Sequence, residues 1–286
     1  MSPLGVVAVL GAAASIVAYS RRKTTSLRVN CQFGIALLSW AVLWYATASP
    51  FAAQGMSSLP KHMIAHILVM FIVPIGLVFS GALRSMWWIL RPDLRRRLLS
   101  WWYLRRKWHA PKWLFNVITA TIVLNVVMVA FHLPRIFDYV MVRMWMMQWV
   151  AEPAFLLSGV FFFHFIVTSP PRVNHVKLHL QFIGLLVTMA EMFILAMAMS
   201  IFTSGSWYTM MAMHPGMAGM ADMPGMAASA TVSFSQQRLA AGVLWICSDF
   251  WAVPCFVLLA HRLVRRDGSF FGALERQMSR LSGATG

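Results

Sequence analysis

Two histidines on one predicted helical face, His62 and His66, are the residues whose types and spacing most directly suggest chemistry. They lie in the segment KHMIAH (61–66), directly before the apolar run 67–79. Positions i and i+4 share one face of a helix, so the two imidazoles would project in the same direction. Two neutral imidazoles placed in this way can chelate a transition metal. The alternative is a pair of interfacial histidines that snorkel or cap, and the pair alone does not decide between the two.

A methionine-rich stretch, Met210–Met226, is the second feature; it holds seven methionines and His214 within seventeen residues. Its glycine and proline content argues against a stable helix. Thioether sulfur selects Cu(I), whereas cysteine would be oxidised in an outer compartment. A linker with accidental methionine enrichment and an oxidant sink are the alternatives. The candidate sulfur ligands are Met210, Met211, Met213, Met217, Met220, Met223 and Met226.

Three carboxylates, Glu152, Glu191 and Asp249, fall inside apolar runs. Ionisable groups are expensive in lipid, so they are functional candidates by default. A proton or cation relay and a set of structural hydrogen bonds are both open interpretations. The sequence shows no nucleophile–base–orienter set and no Gly-rich phosphate loop, so we expect a protein that is not an enzyme.

The elements that must position these residues are membrane spans. With 59% hydrophobic and only 11% charged residues, the chain is too apolar for an ordinary soluble domain, and several runs approach the ~20 residues that cross a bilayer. The sequence predicts an all-α polytopic membrane helix bundle of about seven transmembrane helices, forming one domain over residues 1–262, with a polar cytoplasmic tail at 263–286. The predicted spans are 3–19, 29–48, 61–83, 113–132, 144–167, 180–202 and 239–260.

The formal charge of +16 falls in short blocks between the apolar runs, as the positive-inside rule describes. The most basic block, loop 84–112, mixes Arg and Lys with Trp, a combination that could stack on nucleic acid. Beside two spans, an amphipathic segment on an anionic leaflet is the better interpretation, so we expect the lipid bilayer as a partner and no nucleic acid. Placing the basic blocks inside predicts an outer N-terminus, a cytoplasmic C-terminus and an outer methionine-rich loop, 203–237.

This topology places a third histidine, His132, on the same side of the membrane as His62 and His66. His132 lies at the outer end of the fourth predicted span, whereas the pair opens the third. Neighbouring spans run in opposite directions, so their outer ends can meet in a bundle. A helix-end histidine is the alternative for His132 taken alone. Together the three imidazoles predict a shared metal site.

Several segments resemble the CtaG family. The segment KHMIAHIL (61–68), followed by Pro74, is similar to a His-Met-x-x-His motif of that family. The segment FHLPRIFD (131–138) is similar to its second signature, a histidine and a proline followed by an aromatic and an acidic residue. The resemblance covers residues 49–260 and includes FLLSG (155–159), Gln237 and Trp245.

The resemblance implies a seven-helix assembly factor of the bacterial inner (plasma) membrane, linked to copper provision for haem–copper cytochrome c oxidases. It makes the three histidines the candidate copper ligands. The family usually has further histidines near the start of the fifth helix, where this chain has Gln148, Trp149 and Glu152. The metal would then be held by three imidazoles together with sulfur or carboxylate.

The functional hypothesis is that the methionine-rich stretch and His214 capture Cu(I) on the outer side and pass it to the three histidines. From there the ion would go to an oxidase subunit or a small copper chaperone. Three alternatives stay open at this point. A copper transporter would use Glu191, Asp249 and the methionines of the sixth predicted span as an internal path. A b-haem protein would use axial histidines such as His66 and His132. The third alternative is an accessory subunit of a respiratory complex.

Overall fold

The computed structural model describes residues 2–22, 26–84, 91–97, 100, 116–167, 178–208 and 232–267. Within these ranges every regular element is helical and no strand is present, which confirms the all-α prediction. In chain order the helices are α1 (Pro3–Ser20), α2 (Leu27–Ala48), α3 (Pro50–Gly55), α4 (Leu59–Ile67), α5 (Val73–Ser80), α6 (Val117–His132), α7 (Pro134–Val142), α8 (Met144–Met146), α9 (Glu152–Val167), α10 (Leu178–Ser200) and α11 (Phe234–Asp267), with π-helical turns at Leu68–Ile72 and Met147–Ala151.

Among the described residues, six helical spans are long and apolar enough to cross a membrane. Two of them are composite: Leu59–Ser80 joins α4, a π turn and α5, and Met144–Val167 joins α8, a π turn and α9. The pair α6–α7, bent by 73°, makes a seventh span if it is counted as one. The prediction of about seven transmembrane helices is confirmed, and the protein is a multi-pass membrane protein.

Two short helices, α3 and α7, occupy segments that lie between the predicted spans. Each begins with a proline, Pro50 or Pro134. Proline at the first helical position costs no hydrogen bond, because a backbone N–H there would have no intrahelical partner. Its ring also fixes φ near the helical value. The Ser49 side chain accepts from the Phe51 amide at 3.1 Å and caps α3. In both places, the proline that follows the end of one helix is the first residue of the next helix.

Each π-helical turn ends two residues before a proline, Pro74 or Pro153. Proline has no N–H to donate, and its ring clashes with the preceding turn, so the helix widens locally where the ordinary hydrogen bond is missing. Gly159 of α9 lies against the first of these turns. A β carbon at Gly159 would overlap the carbonyl oxygen of Met70, so α9 and the span α4–α5 are in contact at backbone distance.

The core lies where the span α4–α5 meets α9 and α11. Phe71 stacks on Trp251 with ring centres 4.6 Å apart, and Phe163 packs edge-on against the same indole at 5.8 Å. All three side chains are fully buried. Offset and edge-to-face pairs of this kind contribute beyond the area that they bury, so these rings hold the three helices together.

The last carbonyls of α9 are satisfied by side chains from other helices. Arg262 of α11 donates to the carbonyl oxygens of Ile166 at 2.9 Å and Val167 at 2.6 Å. Gln181 of α10 donates to the carbonyl oxygen of Phe165. Helix-terminal carbonyls have no intrahelical donor, so these bonds hold the C-terminal end of α9 in place.

Candidate metal centre

The structure brings the three predicted histidines together at one end of the bundle. The ring centres of His62 and His66 are 4.2 Å apart, and those of His66 and His132 are 5.7 Å apart. The three residues are 3%, 7% and 2% exposed. A snorkelling side chain keeps its polar tip in water, so burial of this degree is what an interior cluster shows. We call these three residues the histidine cluster.

Several ring nitrogens of the histidine cluster are buried without a hydrogen-bond partner in the described part of the chain: Nε2 of His62, both nitrogens of His66, and Nε2 of His132. Leaving a buried polar atom unpaired costs about 1–3 kcal/mol. Buried polar groups in folded proteins are usually paired, and an exception calls for an explanation such as an ion. The cluster therefore has the chemistry of a ligand set, with four nitrogen atoms that no described residue satisfies.

His132 has a defined tautomer. Its Nδ1 lies 2.6 Å from the carbonyl oxygen of Met128. A carbonyl can only accept, so Nδ1 carries the proton and Nε2 of the neutral ring presents a lone pair. Histidines that bind metals hold their second nitrogen in the same way, which orients the ring and raises its basicity.

The local sequence explains why these side chains meet. His62 and His66 lie one turn apart on α4, whereas His132 is the last residue of α6. The residue before a proline is driven out of the helical region, and Leu133 adopts ψ 130° ahead of Pro134. The chain therefore turns by 73° directly after His132, which puts its ring at a corner of the bundle.

Aromatic rings surround the histidine cluster. Phe155 of α9 lies 4.5 Å from His66 between ring centres, and Phe137 of α7 meets His62 edge-on at 5.5 Å. The ring of Tyr208 packs against that of Phe137 at a tilt of 35°, with ring centres 4.1 Å apart. These three aromatic side chains are buried, so they separate the imidazoles from bulk water.

Tyr208 also holds the corner at His132 through its hydroxyl group. The phenolic oxygen lies 3.1 Å from the carbonyl oxygen of His132 and 3.8 Å from the sulfur of Met199. Burial, with the Asp138 carboxylate nearby, raises the pKa of Tyr208 above its ordinary value. The hydroxyl therefore stays protonated and donates.

The methionine-rich stretch leaves and rejoins the described fold beside Tyr208. Residues 209–231 lie outside the described residues, and with them all of the predicted methionine ligands and His214. The two flanks are joined directly, because Ser206 Oγ donates to the carbonyl oxygen of Val232 at 2.7 Å. The described residues on either side of the stretch are therefore joined next to Tyr208, which packs against Phe137 and donates to the carbonyl oxygen of His132.

The three intramembrane carboxylates make no hydrogen bond or ion pair with the histidine cluster. Glu152 directly follows the second π turn and has one buried oxygen without a partner, and Glu191 has two. Asp249 is exposed on the surface of α11. As they are placed in the structure, no three or more His, Cys, Asp and Glu side chains of the described residues are arranged to hold a metal ion, and this includes the three rings of the histidine cluster.

Sequence reasoning missed Tyr208 and the position of Gln237. Gln237 accepts from the Trp207 amide at 2.5 Å and donates to the Met199 carbonyl oxygen at 2.7 Å, which holds the segment that carries Tyr208. Gln237 is fully buried. In the sequence, Gln237 lies just ahead of an apolar run, which was the only signal of its role. No spacing rule connects Tyr208 with His132.

No curated protein and no solved structure matches the chain. The family model described as cytochrome c oxidase caa3 assembly factor (Caa3_CtaG) matches residues 14–266. This range covers most of the chain and includes the whole histidine cluster, which confirms the resemblance seen in the sequence motifs. The chain belongs to the Caa3_CtaG family of cytochrome c oxidase assembly factors.

Proposed function

We propose that this assembly factor binds copper, as Cu(I), on the outer side of the bacterial plasma membrane and supports metallation of a haem–copper cytochrome c oxidase. Family membership supplies the role in oxidase assembly. The ligands we propose are His62, His66 and His132. The observation that supports them is a buried group of imidazoles, four of whose ring nitrogens have no hydrogen-bond partner among the described residues.

The spacing of the rings suits a site that forms around His66 and His132 first. Two imidazoles that share one ion at metal–nitrogen distances of about 2 Å have ring centres roughly 5 to 6 Å apart. The 5.7 Å between His66 and His132 fits this range. The ring of His62, at 4.2 Å from His66, has to rotate to become a third ligand. Imidazole nitrogen suits copper, and thioether sulfur selects its Cu(I) state.

Delivery of the ion is assigned to the methionine-rich stretch, Met210–Met226, with His214. The bond between Ser206 and Val232 joins the described residues that flank the stretch on either side, and Tyr208 donates to the carbonyl oxygen of His132. A donor site that is tethered next to an acceptor site makes the transfer intramolecular, at a high effective concentration. From the histidine cluster the ion passes to an oxidase subunit or to a small copper chaperone.

Cu(I) binding by the purified full-length protein, measured against a competing chromophoric chelator, tests the site. The double variant His62→Ala/His66→Ala is expected to lose the tightest binding. His261→Ala is the matched control, because this histidine is exposed on α11 outside the cluster. Unchanged Cu(I) binding in the double variant, or an equal loss in the control, contradicts the proposed site.

The metallation role has its own test in cells whose sole copy of the protein is the double variant. We expect membranes with less copper per oxidase and an unchanged amount of the protein itself. Normal oxidase copper content in these cells, grown at limiting copper, contradicts the role even if the purified protein binds Cu(I).

A further inference from the structure

Helix α11 carries one carboxylate, Asp249, in the middle of its membrane span. Asp249 lies fifteen residues after Phe234 and thirteen residues before Arg262, within the candidate span Phe234–Arg265. Its side chain is exposed on the surface of the bundle. Exposed apolar side chains share this face, namely Trp245 (51%), Ile246 (63%), Phe250 (71%), Val253 (53%) and Val257 (63%).

Asp249 points away from the bundle interior. The residues on the other side of the same turns are buried, among them Leu244, Ser248, Trp251, Ala252 and Cys255. A carboxylate that lined an internal path would lie among these buried positions. Asp249 instead faces the region that hydrocarbon or another protein occupies in a membrane.

No described residue neutralises Asp249, which makes no hydrogen bond or ion pair with any of them. The neighbouring helix α10 runs alongside α11 and contacts it through ring pairs on either side of Asp249. The part of α10 between its two contacting rings has one charged residue, Glu191. Glu191 is acidic, like Asp249, and cannot neutralise it. The ring pairs are Phe182–Phe256 at 5.9 Å and Phe193–Trp245 at 5.3 Å between centres.

An acidic side chain at the middle of a transmembrane helix is costly in lipid, and such groups nearly always face the protein interior or a polar partner. Asp249 has neither within the described fold. A basic side chain on a second helix at the same depth carries the same cost when it is alone. Pairing the two removes both charges from hydrocarbon.

We propose that the face of α11 formed by Trp245, Ile246, Asp249, Phe250 and Val253 is the docking site for a transmembrane helix of another membrane protein. That helix presents a lysine or an arginine at mid-membrane depth, opposite Asp249. A second copy of this chain fits less well, because a two-fold interface would place one Asp249 against the other. The docking face shares no residue with the histidine cluster and does not rest on copper binding.

Photo-crosslinking of the full-length protein in its native membranes tests the docking site. A photoreactive residue is placed at Phe250 or at Val253, and at Val126 of α6 as a control, since Val126 is also exposed (60%) within a span. The first two positions are expected to give one product with a different membrane protein. The crosslinked peptide should come from a transmembrane helix that contains a lysine or an arginine.

Charge dependence separates specific docking from chance contact. Asp249→Leu is expected to lower the yield of this product at least fivefold, whereas Asp249→Glu keeps it. Leucine is favourable on a lipid-facing surface, so we expect the Asp249→Leu variant to fold normally. An unchanged melting temperature would confirm this. Asp249→Lys should abolish the product, and changing the partner's basic residue to Asp should restore it. Cu(I) binding stays unchanged in all these variants, so failure here is distinguishable from failure of the copper site.

Several outcomes overturn the proposal. They are a product between two copies of this chain, a product that forms equally from Val126, a yield that Asp249→Leu does not lower, and the absence of any product from Phe250 and Val253.

Discussion

Nδ1 of His132 donates a hydrogen bond to the carbonyl oxygen of Met128, 2.6 Å away and one turn earlier in α6. The bond sets the ring orientation before any ion arrives and leaves Nε2 as a free acceptor. His66 differs, because neither of its nitrogens has a hydrogen-bond partner among the residues that the structure describes. In the proposed site, His132 is therefore the ligand whose orientation is already set, and His66 is the residue whose unpaired nitrogens would gain most from a bound ion.

Replacing His132 by alanine should weaken Cu(I) binding at least tenfold, since the variant lacks the one ligand whose tautomer is already set. Competition titration with a chromophoric Cu(I) chelator measures the change. His179→Ala, an exposed position on α10, serves as the control. Equal affinities for the wild type and His132→Ala would remove His132 from the site.

Tyr208→Phe should lower the free energy of unfolding by about 1 kcal/mol, because it removes one buried hydrogen bond and keeps the ring. The bond lost is the one to the carbonyl oxygen of His132. Thermal unfolding in detergent measures the effect. Tyr45→Phe is the control, since Tyr45 is 46% exposed. Equal melting temperatures for both variants would show that the bond is not stabilising.

Gly159→Ala should destabilise the protein by about 1–3 kcal/mol, the usual cost of overpacking, because its β carbon meets the Met70 carbonyl oxygen. Gly242→Ala is the matched control on α11, where a β carbon meets nothing within 4 Å. An added methyl group in a compatible helical position is neutral or stabilising. Thermal unfolding of the two variants side by side gives the comparison, and a tolerated Gly159→Ala would argue against close packing of α9 on the π turn.

Replacing all seven methionines of Met210–Met226 by leucine should slow Cu(I) loading of the histidine cluster without changing its final affinity. The physical reason is that the variant keeps the imidazoles and loses the tethered sulfur donors. Stopped-flow transfer from a Cu(I)–chelator complex gives the rate, and equilibrium titration gives the affinity. Loading at the wild-type rate would exclude the stretch from delivery.

Hydropathy was sufficient to predict the spans, and helical spacing was sufficient to pair His62 with His66. Topology then placed His132 at the same end of the bundle. These inferences succeed because they depend on local periodicity and on the cost of charge in lipid. The proline at 134 also marked a break, although the helix that starts there was not predicted.

The remaining parts of the site depend on contacts between distant segments. Tyr208 lies 76 positions from His132 along the chain, and its ring reaches the cluster by packing on Phe137. No periodic pattern encodes such a contact. The outward direction of Asp249 was equally invisible, because hydropathy reports the depth of a residue and not the side of the helix that carries it.

The cover that Tyr208, Phe137 and Phe155 form over the histidine cluster has a kinetic consequence. An ion held beneath buried rings exchanges only as fast as those rings move, however weak or strong its bonds to nitrogen are. If the cluster holds copper as proposed, hand-over would depend on the displacement of Tyr208, and a free chelator would remove the ion slowly whatever its affinity. A recipient protein that docks and displaces these rings would receive the ion quickly, whereas a stronger ligand in solution would remove it more slowly.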